Sequence, residues 1–203
     1  MTIDQYADQY MPSMGGWCSA PKAKKIHQYI VELGLKRSLE IGVFAGRSLC
    51  AMGIAAKEIG GTVTGIDPYT YQAAADDENQ ANRDWWSKLN YEEIYKETLR
   101  HLHGLEIHDT VYVGRYTSRG YFHSNLYPHG GLDFLHIDGN HSEWNSTHDV
   151  CMWVPEVRQG GVICMDDMDW ESTATARRLL AKQAQFLEFV DETEHNCAFF
   201  QKL

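Results

Sequence analysis

The 203-residue chain has no apolar run near the length of a membrane helix, and no basic-then-apolar leader opens it. It has no Cys-x-x-Cys pair either. Five cysteines (Cys18, Cys50, Cys151, Cys164 and Cys197) are scattered and odd in number, which argues against a disulfide frame or a zinc site and for reduced thiols. Positive charge is scarce: 18 Lys and Arg stand against 28 Asp and Glu, a formal charge of -10. A nucleic-acid partner, which needs a basic face, is therefore not expected. Internal repeats, low-complexity tracts and interdomain linkers are missing as well. These absences predict one cytoplasmic domain over residues 1–203, long enough for a sizeable core, with no membrane partner and with homo-oligomerisation left open.

The chain is organised around Ser38-Leu-Glu-Ile-Gly-Val-Phe-Ala-Gly-Arg-Ser-Leu49. Leu39 to Ile41 reads as a strand entering a buried parallel sheet, Gly42 and Gly46 turn the chain, and an alanine-rich run from Ser48 to Lys57 continues as a helix. Such a turn is found in many α/β proteins, but it also lets a ligand approach bare backbone at a helix N-terminus. A dinucleotide fingerprint wants glycine where Glu40 stands, because an acid there repels a pyrophosphate. Glu-x-Gly-x-x-x-Gly after a first strand resembles instead the S-adenosylmethionine (SAM) loop of class I methyltransferases. The methionine end of SAM carries an ammonium for the acid and a carboxylate for the helix N-terminus.

Before this motif, residues 1–35 form an arm and a helix. The aromatic-rich start reads as a packed arm or a flap, and Ser19-Ala-Pro21 begins a helix that Gly34 closes. After it, Thr62 to Pro68 is a second strand ending in Asp67, which is placed either for ribose hydroxyls or for an Asp-Pro turn. Residues 69–108 are too long for an ordinary connection and form an insertion near the substrate edge, carrying Asp76-Asp77-Glu78 and then Trp85-Trp86. The paired tryptophans either stack on a flat or sugar-like substrate or anchor the insertion. A third strand, Asp109 to Val113, follows.

Two later strands end in acids. Gly131 to His141 reaches Asp138 with His141 three residues on, and Gly160 to Asp169 contains Asp166 and Asp167. Parallel strands share a C-terminal edge, so these acids should meet Asp67 and the glycine loop there. Clustered carboxylates repel unless some are protonated or a cation sits among them, and an all-oxygen set suits magnesium, manganese or calcium. Ser172 to Gln183 reads as a helix. Phe186–Val190 and Asn196–Phe200 read as a terminal hairpin around a polar turn. The expected fold is α/β: a Rossmann-like seven-stranded sheet with helices on both faces and a C-terminal antiparallel hairpin.

Over residues 36–169 the chain resembles class I SAM-dependent methyltransferases, and among them metal-dependent O-methyltransferases. Glu40-Ile-Gly42-Val-Phe44-Ala-Gly46-Arg-Ser48 is similar to the catechol family. Ile137-Asp138-Gly-Asn-His141-Ser and Gly160-Gly161…Asp166-Asp167 are closer to macrocin-type sugar O-methyltransferases and cephalosporin-hydroxylase-like proteins. The resemblance implies that Glu40, Gly42, Phe44, Gly46 and Ser48 hold the methionine end of SAM, with Asp67 on the ribose and Asp138 also at the cofactor. It implies a divalent metal, magnesium by preference, on Asp138, Asp166 and Asp167, with His141 as general base. The acceptor it implies is a hydroxyl of a small molecule or glycan, a sugar diol ahead of a catechol. Asn140 and Glu143 depart from the usual Asp and Tyr, and Gly114-Arg-Tyr-Thr117 shows no recognisable adenine contacts. A metal-dependent glycosyltransferase using Asp167-Met-Asp169, a nicotinamide-dependent oxidoreductase and an inert SAM-binding protein remain as alternatives.

Overall fold

The computed structural model describes residues 1–76, 80–190 and 196–203; Asp77, Glu78 and the hairpin's polar turn lie outside them. Among the described residues seven strands make one sheet: β1 (Arg37–Ile41), β2 (Thr62–Ile66), β3 (Val111–Gly114), β4 (Leu132–Ile137), β5 (Val157–Asp166), β6 (Ala184–Val190) and β7 (Cys197–Lys202). Their order across the sheet is β3-β2-β1-β4-β5-β7-β6. The first five run parallel, and β7 lies antiparallel between β5 and β6. The strand order therefore reverses between β1 and β4, where sheets of this kind open a crevice at their C-terminal edge.

The apolar-rich segments of β4 and β5 arise because both faces of the sheet are covered. Phe134, Val162 and Cys164 join one core cluster, while their neighbours Leu135, Ile163 and Met165 join the other. The first cluster packs α2 (Ala20–Glu32), α3 (Arg47–Ile59) and α6 (Tyr91–Gly104). The second packs α7 (Ser118–Phe122), α8 (Glu143–Trp153) and α9 (Ala174–Leu180). Small residues bring α3 close to its neighbours: a Cβ on Gly53 would lie 2.6 Å from Val111 Cγ2.

Boundaries shift by a few residues from the sequence expectation. β2 stops at Ile66 because Asp67 turns away to bind the glycine loop, and β3 begins at Val111. The expected helix over 172–183 divides into a 3₁₀ turn, Glu171–Thr173, and the shorter α9. The aperiodic arm is helical in short pieces: α1 (Ile3–Gln5), a π turn over Tyr6–Tyr10 and a 3₁₀ turn over Met11–Ser13. Tyr6, Met11 and Met14 are buried in the core, and the Tyr6 hydroxyl donates to the Arg47 carbonyl at 2.6 Å. The insertion holds α4 (Tyr71–Ala74), α5 (Gln80–Trp86) and α6.

Candidate active site

Gly42 leaves β1 with φ 85° and Gly46 enters α3 with φ 86°, so the loop between them uses backbone that other residues resist. Asp67 at the tip of β2 holds it there. Its carboxylate accepts from the N–H groups of Val43 (3.1 Å), Phe44 (3.0 Å) and Tyr69 (2.7 Å). Burial raises the Asp67 pKa, and those three N–H groups act in the opposite direction. Arg47 ties the arm to the same loop by donating to the Met14 carbonyl at 3.0 Å.

Above the crevice lies a cavity of about 670 Å³, in the size range of cofactor and small-molecule sites. Gly42, Phe44, Gly46, Ser48, Asp67, Asp138, His141, Asp166, Asp167, Trp85 and Trp86 all line it. Of the residues assigned from sequence, Glu40 is the exception. It is fully buried and does not line the cavity. One of its oxygens meets His136 Nδ1 at 2.7 Å, and the other, Oε2, has no partner among the described residues.

The acids at the strand tips do not stand unscreened. Lys22, in the first turn of α2, is fully buried, and its ammonium pairs with Asp166 and, at 3.3 Å, with Asp138. His136 bridges Glu40 and Asp166, the latter at 3.1 Å from Nε2. Burial works against the charge on Lys22, but Asp138 and Asp166 outweigh it and hold the ammonium well above the usual lysine range. Burial and Lys22 likewise oppose a charged His136, yet Asp166 and Glu40 push it up to about 10. Asp166 is the counterpart: burial raises its pKa, and Lys22 and His136 together carry it below the ordinary carboxylate value.

A second pair faces the cavity. His141 Nε2 lies 2.6 Å from Asp167 Oδ2, and the Trp170 ring packs edge-on at 5.2 Å between centroids. Burial disfavours the imidazolium, but Asp167 dominates and raises His141 to about 9. That is well above the unperturbed histidine value of about 6.5. Asn140, the departure from the usual Asp, donates from Nδ2 to the Asp76 carbonyl at 2.9 Å, with the Ala73 and Ala74 carbonyls at 3.2 and 3.3 Å. A carboxylate has no hydrogen for them. Glu143 accepts from the Thr175 hydroxyl at 2.5 Å, so it joins α8 to α9.

Trp17 from the arm, Phe44 from the loop and the two insertion tryptophans form an aromatic wall of the cavity. Trp17 lies 5.1 Å from Phe44 and 5.2 Å from Trp85, and Trp85 lies 4.8 Å from Trp86. The arm is thus packed in the core and reaches the cavity through Trp17. Beyond β3, Tyr116, Thr117, Ser118 and Asp149 line the cavity where sequence showed no recognisable contacts. Ser118 donates to Asp149 and accepts from Trp153 Nε1 at 2.7 Å.

A family described as a methyltransferase domain matches residues 39–168, well over half of the chain. The chain belongs to that methyltransferase family. No match was found among curated proteins. Similar solved structures include an O-methyltransferase from Bacillus cereus in complex with SAH, 14% identical with a TM-score of 0.66, covering 98% of this chain and 88% of that one. The O-methyltransferase TomG from Streptomyces achromogenes, in complex with SAM, is 17% identical with a TM-score of 0.64, covering 99% and 88%. A SAM-dependent O-methyltransferase from Thermotoga maritima is 14% identical with a TM-score of 0.64, covering 99% and 71%. At these identities the likeness shows the class I methyltransferase fold.

In this methyltransferase, Lys22 and His136 are the buried partners of the site's acids that sequence reading missed. Each had a signal. Lys22 falls in helical register with Ile26 and Ile30 on the buried stripe of α2, and His136 interrupts the apolar run Phe134-Leu-His-Ile137 of β4.

Proposed function

We propose that this methyltransferase transfers a methyl group from SAM to a hydroxyl of a small molecule or glycan, with a sugar as the favoured acceptor. The observation that carries the SAM assignment is the unpartnered Oε2 of buried Glu40, two residues before Gly42. A buried carboxylate oxygen without a donor is costly, and an ammonium satisfies it. Gly42, Gly46 and Ser48 would carry the methionine end, Phe44 would pack over it, and Asp67 has acceptor capacity left for a ribose hydroxyl. When bound, SAM supplies the electrophilic methyl group. A sugar ring suits the wall of Trp17, Trp85 and Trp86, where C–H faces stack on indole.

The proton has a defined route. With its Nε2–H directed at Asp167, a neutral His141 keeps Nδ1 free to accept from the acceptor hydroxyl. As the new C–O bond forms and the C–S bond breaks, the hydroxyl proton passes to Nδ1, and Asp167 stabilises the imidazolium. Orienting the oxygen in line with the methyl group is the remaining task, and the aromatic wall and Asp138 border that space.

The divalent ion expected on Asp138, Asp166 and Asp167 does not fit this donor set. Both Asp166 oxygens are engaged, one by Lys22 and one by His136, and the ammonium already bridges Asp166 to Asp138. Asp138, His141 and Asp167 do approach within 4.8 Å of one another. There, however, His141 Nε2 is committed to Asp167 Oδ2, and the ring's remaining nitrogen is the one this reading gives to the acceptor hydroxyl. No step is assigned to a metal.

Calorimetry with S-adenosylhomocysteine tests the assignment. Binding is expected for the wild type, with Glu40→Gln weakening it by about 1–3 kcal/mol, the usual loss for a charged hydrogen bond. Equal affinity in the two proteins would reject Glu40 as the ammonium partner. Labelled methyl transfer across sugar and catechol acceptors then reads the substrate class, and transfer to catechols alone would overturn the sugar assignment.

A further inference from the structure

We infer that Lys22 is the resident cation of this active site: its ammonium fills, between Asp138 and Asp166, the place a divalent ion would take, so methyl transfer proceeds without a metal. The inference rests on the methyltransferase reading above and concerns how that same site balances its charge. Four carboxylates (Glu40, Asp138, Asp166 and Asp167) meet three basic side chains, Lys22, His136 and His141, each within ion-pair distance of at least one acid. Repulsion among the acids, the reason to expect a metal, is thereby met by the chain itself.

The placement is built rather than incidental. Lys22 is only 1% exposed, and its aliphatic stem lies in the stripe that buries Ala23, Ile26 and Ile30. Ser19 caps the first turn, accepting from the Lys22 N–H at 3.2 Å, so the helix start is fixed where the ammonium must emerge. The two acids come from the tips of adjacent strands, β4 and β5, and the lysine approaches from the helix layer. Asp138 and Asp166 line the cavity while Lys22 does not. Lys22 is thus a positioning residue, acting on the acceptor through the two aspartates. A divalent ion entering between them must displace a buried ammonium and meet its charge at contact range.

Manganese titration followed by electron paramagnetic resonance tests this without cofactor or acceptor. Wild-type protein is expected to leave the aqueous Mn²⁺ signal undiminished. Lys22→Met is expected to take up one Mn²⁺, with affinity raised roughly tenfold or more, since a unit charge a few ångströms away is worth at least several-fold even in high dielectric. Adding Asp166→Asn to Lys22→Met should abolish that uptake, and Lys22→Arg should remain without it. One Mn²⁺ bound by the wild type and lost in Asp138→Asn would overturn the inference, as would Lys22→Met binding no better than wild type. If Lys22→Met does not fold, the wild-type titration with its Asp138→Asn control still decides. S-adenosylhomocysteine calorimetry is independent: failure there removes the methyltransfer reading, and Mn²⁺ uptake by the wild type removes only the role of Lys22.

Discussion

His141→Ala is expected to lower turnover by about 10²–10⁴-fold, the usual contribution of a general base, while S-adenosylhomocysteine affinity stays near wild type. The pH profile adds a signature that a packing defect would not produce. Asp167 holds the His141 imidazolium up to about 9, so the proton-accepting form is scarce at neutrality and grows as pH rises. Wild-type turnover should therefore climb through neutral pH and level off near that value. Asp167→Asn removes the carboxylate that favours the charged ring, and the inflection should move down toward the ordinary histidine value of about 6.5. Its plateau should also fall, because the imidazolium loses its stabilising partner. An unchanged rate for His141→Ala together with an unchanged inflection would move the proton to Asp138 or to solvent.

The parts of this molecule legible in the sequence are those with a local cause. Leu39 and Ile41, Phe134, Leu135 and Ile137, and Val162 to Met165 are apolar because two helix layers cover the sheet, and such apolar-rich segments next to glycine declare that directly. The rule that parallel strands share an end gathers Asp67, Asp138, Asp166 and Asp167 with Gly42 and Gly46 at one edge, and all of them line the cavity, as does His141. What the sequence hid was pairing across distance. Lys22 meets its acids 116 and 144 positions away, and His136 faces Glu40 only because β1 and β4 register those two residues opposite one another. Register and helix docking are tertiary outcomes, so the acids could be gathered on paper but not their counter-charges. The metal expectation, drawn from the clustered carboxylates and from the family resemblance, likewise preceded any knowledge of those counter-charges. Asn140 also reads as a departure until α4 supplies the carbonyls that need its amide hydrogens.

Gly42→Ala is expected to be the most damaging single change in the fold. A Cβ built there lies 1.9 Å from the Asp138 carbonyl oxygen, 2.6 Å from its carbon and 2.9 Å from Gly139 Cα. These are backbone atoms at the tip of β4, which is held to β1 by the Asp138 N–H donating to the Ile41 carbonyl at 2.9 Å. They cannot rotate aside as a side-chain end would. The residue also needs φ 85°, a conformation costing about 1–3 kcal/mol for a residue with a Cβ. Strain and overlap together place the loss at or above ~4–5 kcal/mol, the exceptional end of single substitutions. For a chain this long that is a fall in Tm on the order of 10–20 °C. Gly60→Ala is the control, with φ 64° at the end of α3 but nothing within 4 Å of the added carbon. It should cost only about 1–2 kcal/mol, from the left-handed backbone alone. The functional consequence separates the two further. Parting β1 from β4 moves the glycine loop and Asp138 together, so any Gly42→Ala protein that still folds should lose S-adenosylhomocysteine binding, whereas Gly60→Ala should retain it. Equal melting shifts in the two variants would mean that the β1 and β4 tips are not held in the close contact on which this site depends.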